Sequence, residues 1–360
     1  MNRRTAFAAV VLSLILCGCA SAQSDTSSTS AASSTTSVSS VDTASTASTA
    51  TSTQSTTAES AKIAHRFATA SEGKDLLLSN KAYYAGFSQN DLDFRMQKKG
   101  ATMDEYQAFA GEQVLEFTDA EKKLIDQYLD EMAAHLAENG YTLPPLDEIV
   151  FVKTTMEEEA GAGGYTHGTT IYLAPVLLVE SGDATEGGDS WLHFRETLWH
   201  EIFHCLTRHN PDFRADMYKL IHFTMHDTDF VLPPSVMEYH ISNPDVEHQD
   251  ASAVFSIDGN DVECFCDFVT TQHFEKEGDS FFDCSTTALV PIDGRDVYYT
   301  PEQASNFHEV FGNNTDYVVD PEECMAENFV FALTYGAAGK DGSGYKSPEI
   351  IEGILAHLSR

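Results

Sequence analysis

Basic side chains are scarce in this sequence. Lys and Arg together number 21 against 56 Asp and Glu, a formal net charge of −35 over 360 residues. A surface this acidic repels nucleic-acid phosphates and anionic lipid headgroups, which argues against both as partners. Cysteine is also sparing. Cys205, Cys264, Cys266, Cys284 and Cys324 are all that follow Cys19. Their odd number and the lack of a CxxC pair argue against a zinc knuckle and against a full disulfide framework. One or two bridges fit the spacing, with Cys264 or Cys266 to Cys284 the favoured pairing. The acidity comes without an EF-hand loop, no segment repeats, and the long apolar run is confined to the first twenty residues.

That run is a processing signal rather than part of a fold. Arg3 and Arg4 precede "AFAAVVLSLIL", which is short for a membrane span, and it closes on "LCGC", Leu16 to Cys19. The ending resembles the lipobox of bacterial lipoproteins. The resemblance implies a signal peptide over 1–18, lipidation of Cys19 (palmitate-type acyl chains) and an extracytoplasmic protein anchored to the cell membrane by lipid. Residues 19–60 are almost wholly Ser, Thr and Ala. They cannot bury enough apolar surface to offset ordering entropy and read as a tether, with an r.m.s. reach of roughly 35 Å.

Residues 61–360 suffice for one large domain or two closely packed lobes. "FTDAEKKLIDQYLDEMAAHLAENG" predicts a helix with Thr118 as N-cap, Glu121 completing a capping box, an apolar stripe from Leu124 to Leu136 and Gly140 as the stop. Residues 65–115 read as shorter helices with loops. "EIVFVKTT" and "GTTIYLAP" then read as strands joined by the Gly-rich "MEEEAGAGGYTH", the second being the edge strand of a small sheet. Further helices are expected over about 190–209, 321–335 and 348–358, the last capped by Ser347, with β-like runs over 230–300. Helices, then strands, then helices predict an α+β fold.

The chemistry concentrates in "TLWHEIFHCL", Thr197 to Leu206. On a helical wheel Trp191, Phe194, Leu198, Ile202, Cys205 and Leu206 form one stripe, with His193, Thr197, His200 and His204 opposite. Such a helix could be amphipathic without any metal. Yet His200 and His204 stand one turn apart and point the same way, as chelation of one tetrahedral ion requires, and every neighbour is apolar or uncharged apart from Glu201.

Two histidines leave catalytic zinc one protein ligand short. A third histidine six residues after His204 is ruled out because that position holds Asn210. His209 is off by one and suits a helix C-terminus instead. Two glutamates remain. Glu263 in "ECFCD" lies in a β-like run, where its carboxylate and that of Asp267 would stand ~13 Å apart. In "DPEECMAENFVFAL", Asp320 and Pro321 open a helix, and Glu323 and Glu327 fall one turn apart on one face. Glu323 is therefore the favoured third ligand. Glu327 is placed to take the free N–H of a ligating histidine, His200 by preference.

HEIFH followed by "EECMAE" resembles a zincin metallopeptidase of the gluzincin, thermolysin-like type. The resemblance implies Zn2+ on His200, His204 and Glu323, with Glu201 as general base. It also implies a small sheet whose edge strand packs on the HExxH helix and binds an extended peptide or protein substrate. The long separation between His204 and Glu323 implies an inserted, partly β subdomain over about 210–315. Tyr317 is a candidate to help hold the oxyanion, ahead of His308. Two other readings stay open: a surface lipoprotein whose zinc site is structural or degenerate and serves binding, and a zinc hydrolase of a non-peptide amide. Oligomeric state is not legible.

Overall fold

A computed structural model describes residues 62–360 apart from residue 183. The signal segment, Cys19 and the tether over 19–60 lie outside the described residues. Nine strands are described: β1 (His65–Phe67), β2 (Val114–Leu115), β3 (Ile149–Thr154), β4 (Gly164–His167), β5 (Thr170–Leu173), β6 (Thr224–Met225), β7 (Ala251–Ile257), β8 (Asn260–Thr270) and β9 (Ser285–Pro291). Five helices fill the first half: α1 (Ala70–Leu78), α2 (Lys81–Ala85), α3 (Gln89–Met96), α4 (Met103–Ala110) and α5 (Asp119–Asn139). The second half adds α6 (Pro175–Gly182), α7 (Asp189–His209), α8 (Pro211–Lys219), α9 (Pro234–Met237), α10 (Phe307–Phe311), α11 (Pro321–Tyr335) and α12 (Pro348–Leu358). The fold is α+β, with one mixed and one antiparallel sheet.

The helix signals act where the sequence places them. Thr118 and Glu121 exchange both capping-box bonds at the start of α5, and Gly140 ends it at φ 69°. At α11 the Asp320 carboxylate accepts the Glu323 N–H at 2.9 Å, and Pro321 occupies the first turn where no N–H is missed. Ser347 precedes α12, but its hydroxyl accepts the Asn313 N–H rather than capping the helix.

The mixed sheet runs β1-β3-β5-β4, with β2 pairing β3 antiparallel beside β1. β1, β3 and β5 are mutually parallel. All six positions of β3 are buried, which suits a strand covered on both faces. Here the structure departs from the sequence reading. The edge strand is β4, not the "GTTIYLAP" run, because β4 folds back on β5 through Gly168 at φ +59° and takes the outside position. α7 packs against β4, β5 and α11.

The 210–315 region contains the antiparallel sheet β6-β7-β8-β9. Its residues Phe255, Cys264, Cys266 and Leu289 belong to the same buried cluster as Phe203 and Phe329. The expected disulfide is corrected: all five described cysteines are free thiols. Cys264 and Cys266 face Pro291 and Leu289, whereas Cys284 precedes the far end of β9, so the sheet register holds the pair apart.

α7 is a second departure. The wheel suggested one apolar stripe, but the C-terminal half is buried nearly all round: Glu201, His204 and Thr207 are enclosed along with Leu198, Ile202 and Leu206. α11 covers its polar side. A buried polar face must find partners, and these define the candidate site.

Candidate metal centre

His200 and His204 project from consecutive turns of α7, their rings 4.8 Å apart between centroids. Opposite them, the first turn of α11 brings in Glu323, 123 residues away in sequence from His200, whose Nε2 lies 2.9 Å from Glu323 Oε2. The Nε2 of His204 is 3.9 Å from the same oxygen. His200, His204 and Glu323 thus each offer one ligand atom within 4.8 Å of the others and could hold a metal ion. One observation tests the fit. His204 is wholly buried, and its Nε2 has no hydrogen-bond partner although its other ring nitrogen is satisfied. An orphaned imidazole nitrogen facing a carboxylate is a ligand atom without another assignment.

The opposite ring nitrogens are held by carboxylates. Glu327 Oε1 lies 3.4 Å from His200 Nδ1, the partnership expected from the helical spacing. Glu322 Oε1 lies 3.0 Å from His204 Nδ1, a role the sequence reading missed. Its second oxygen accepts the Tyr218 hydroxyl at 2.6 Å, and Oε1 also accepts Thr207 Oγ1 at 2.5 Å. Burial alone would raise the Glu322 carboxyl, but His204, Arg214 and Thr207 hold it below its ordinary value. An Nδ1–H donated by His204 to Glu322 leaves its unpartnered Nε2 for the centre, and a His200 giving its Nδ1 proton toward Glu327 would free its Nε2, now paired with Glu323, in the same way. For Glu323, burial is again outweighed, here by His200, His204 and Asn243, leaving the carboxyl at about 2. Asn243 Nδ2 donates to Glu323 Oε1 at 2.6 Å, so only Oε2 points between the rings.

Glu201 reaches the edge strand. Its Oε2 accepts Thr166 Oγ1 at 2.7 Å. A Cβ on Gly164 would stand 2.9 Å from its Oε1, so this glycine makes room for the carboxylate. Burial raises the Glu201 pKa against the pull of His200 and His204. Asp245 stands on the same side, its Oδ1 4.0 Å from His204 Nε2, and it forms a second triple of possible ligands with Glu201 and His204.

Tyr317 is close, its ring centroid 6.4 Å from that of His200. Its phenol is raised well above the ordinary value by burial and by Glu323, Asp320, Asp245 and Glu327, so it stays protonated at neutral pH. Glu263 is on β8 away from the histidines, where its carboxylate accepts Ser252 Oγ at 2.7 Å. His308 is exposed on α10 with its ring against Phe307. His209 ends α7 with Asp147 3.7 Å away.

Glu322, Asn243, Asp245 and Thr166 were not singled out from sequence. Glu322 could have been, since it precedes Glu323 in a helix whose next turn also carries an acid. The other three lie in segments without periodicity, and only the tertiary fold brings them here. No protein-family model, no characterised protein and no solved structure matches the chain. Among the described residues no helix is long and apolar enough to cross a membrane.

Proposed function

We propose that the protein is a zinc-dependent peptidase, held on the extracytoplasmic side of a membrane by lipid at Cys19, that hydrolyses peptide bonds in peptide or protein substrates. The observation that carries this reading is the convergence of His200 Nε2, His204 Nε2 and Glu323 Oε2, with the outer ring nitrogens held by Glu327 and Glu322. Two imidazoles and one carboxylate form the donor set of an open, catalytic zinc site of the gluzincin type rather than a closed structural one. The lipid anchor rests on the sequence alone.

Zinc bound there would supply a water of lowered pKa and a Lewis acid for the scissile carbonyl. Glu201 is the proton carrier. Held by Thr166 beside the rings yet outside the His200–His204–Glu323 set, it takes the proton of the attacking water and returns it to the leaving amine. A purely structural centre has no use for such a group. The Tyr317 phenol, protonated and near His200, is the donor available to a developing oxyanion. β4, at the edge of the mixed sheet, is the strand to which an extended chain would add.

The test is direct. The purified protein should carry a single zinc per chain and cleave members of a mixed peptide library. Glu201→Gln should abolish turnover and keep the metal. Full metal content with no cleavage of any peptide would overturn the hydrolase reading in favour of a zinc-stabilised binding protein.

A further inference from the structure

The free side of β4 is not open. Thr166 N–H, which points away from β5, donates to Asp245 Oδ1 at 2.7 Å. Two residues on, Gly168 N–H donates to Glu247 Oε1 at 3.2 Å. Asp245 thus takes an amide of β4 itself, and Glu247 fastens the same segment to the turn that follows the strand. The Thr166 N–H is a donor that an extended peptide would use to add itself to the edge. The same segment is fastened from α7: Arg208 Nη2 donates to Pro244 O at 3.0 Å, and its Nε is 3.7 Å from Glu247.

The segment also enters the space where the reaction would occur. The Asp245 carboxylate stands on the Glu201 side of His204, grouped with those two and not with His200 and Glu323. That is the side where an attacking water and a scissile carbonyl must meet the proton carrier. Asp245 is buried, and His204 Nε2, which faces it at 4.0 Å, is the orphaned ring nitrogen already described. The segment has somewhere to go. Asn243, Pro244, Val246 and Glu247 line a cavity of about 830 Å³ whose walls also include His167 and Phe230, and Asp245 is not among its lining residues.

We infer that Asp245–Glu247 is an internal occupant of the peptide-binding edge, so that the described conformation is latent and a substrate binds only when this segment moves off β4. The inference rests on the zinc-peptidase reading and adds to it a built-in competitor. Asp245 is a masking residue in this account and takes no part in the reaction.

Cobalt(II) visible spectroscopy on the full-length protein tests it without relying on turnover. The protein is loaded with cobalt, and acetohydroxamate, a small metal-chelating probe, is titrated in. Asp245→Ala should bind stoichiometric cobalt and bind the probe at least tenfold more tightly than the unmodified protein. Glu247→Gln, which alters a partly exposed acid farther from the rings, should tighten the probe severalfold. Amide exchange at Thr166 should speed up when the probe binds the unmodified chain. Unchanged or weaker probe binding in Asp245→Ala overturns the inference while the metal centre stands. If Asp245→Ala does not fold, unchanged binding in Glu247→Gln overturns it equally. Failure of the unmodified protein to bind cobalt removes the metal centre and this inference together, and so is told apart from the first result.

Discussion

Removing Glu322 tests whether the site is built as described. This acid would touch no metal, yet it fixes one ligand. Its Oε1 is 3.0 Å from His204 Nδ1, and that contact keeps the proton on Nδ1 and leaves Nε2 bare. Glu322→Ala removes the acceptor. His204 is then free to carry its proton on either nitrogen, and zinc affinity should fall by about 10- to 100-fold, equivalent to ~1.4–2.8 kcal/mol. Stability should fall separately. The carboxylate also receives Tyr218 at 2.6 Å and Thr207 at 2.5 Å and lies 3.8 Å from Arg214 Nε. Deleting one partner of a buried charged cluster costs about 3–5 kcal/mol. Glu322→Gln separates the two effects. With its carbonyl toward His204, the amide keeps the tautomer, so affinity should drop less than in the alanine variant. Competition with a chromophoric chelator measures affinity, and urea unfolding measures stability. A folded Glu322→Ala protein holding zinc within twofold of the original would refute the argument that Glu322 sets the imidazole.

Other expectations follow from the same geometry. Glu323→Ala should lose zinc while Glu263→Ala keeps it, read by metal analysis of the two proteins side by side. Gly164→Ala pushes a methyl to within 2.9 Å of Glu201 Oε1, so turnover should fall by about tenfold or more with metal content unchanged. Arg95, buried between Asp91 and Glu159, donates to Ser242 O at 2.6 Å beside Asn243. Arg95→Met should therefore destabilise the protein by about 3–5 kcal/mol in urea unfolding. His167 supplies a pH dependence. Burial, then Arg208 and Arg95, lower its pKa to about 3. Because the folded value lies below the unfolded one near 6.5, its neutral ring favours folding above pH 6.5, and that contribution is lost as pH falls toward 3. The loss should be on the order of 3 kcal/mol by pH 4, and His167→Gln should flatten that part of the stability profile.

How much of this was legible depends on how local each signal is. α5 and α11 declare themselves through caps and periodicity that act within a few residues, so Thr118, Glu121, Asp320 and Pro321 could be read directly. The His200–Glu327 partnership was also accessible, because helical spacing put Glu327 on the Glu323 face. Strand order was not. β1 has three residues and β2 has two, too few to show alternation, and no local pattern says that Gly164–His167 rather than Thr170–Leu173 takes the edge. The polar face of α7 was read as opposite to the core. In the fold it forms part of the core, because α11 returns to cover it with acids matched to its imidazoles. Asn243 and Asp245 escaped notice for a similar reason: "SNPDVE" reads as a polar loop until Arg208 and β4 give it a place.

α11 alone delivers Glu322, Glu323 and Glu327, and it does so across to α7. An α-helix turns 100° per residue, so inserting or deleting one residue between Asp320 and Glu323 would swing the ligand and both imidazole partners off the histidines in a single step. The arrangement works as a rivet between two helices far apart in sequence. An ion that bound only the folded form would fasten α7 to α11 and raise the melting temperature in proportion to the logarithm of its concentration. Chelation of such an ion should therefore loosen the body of the protein.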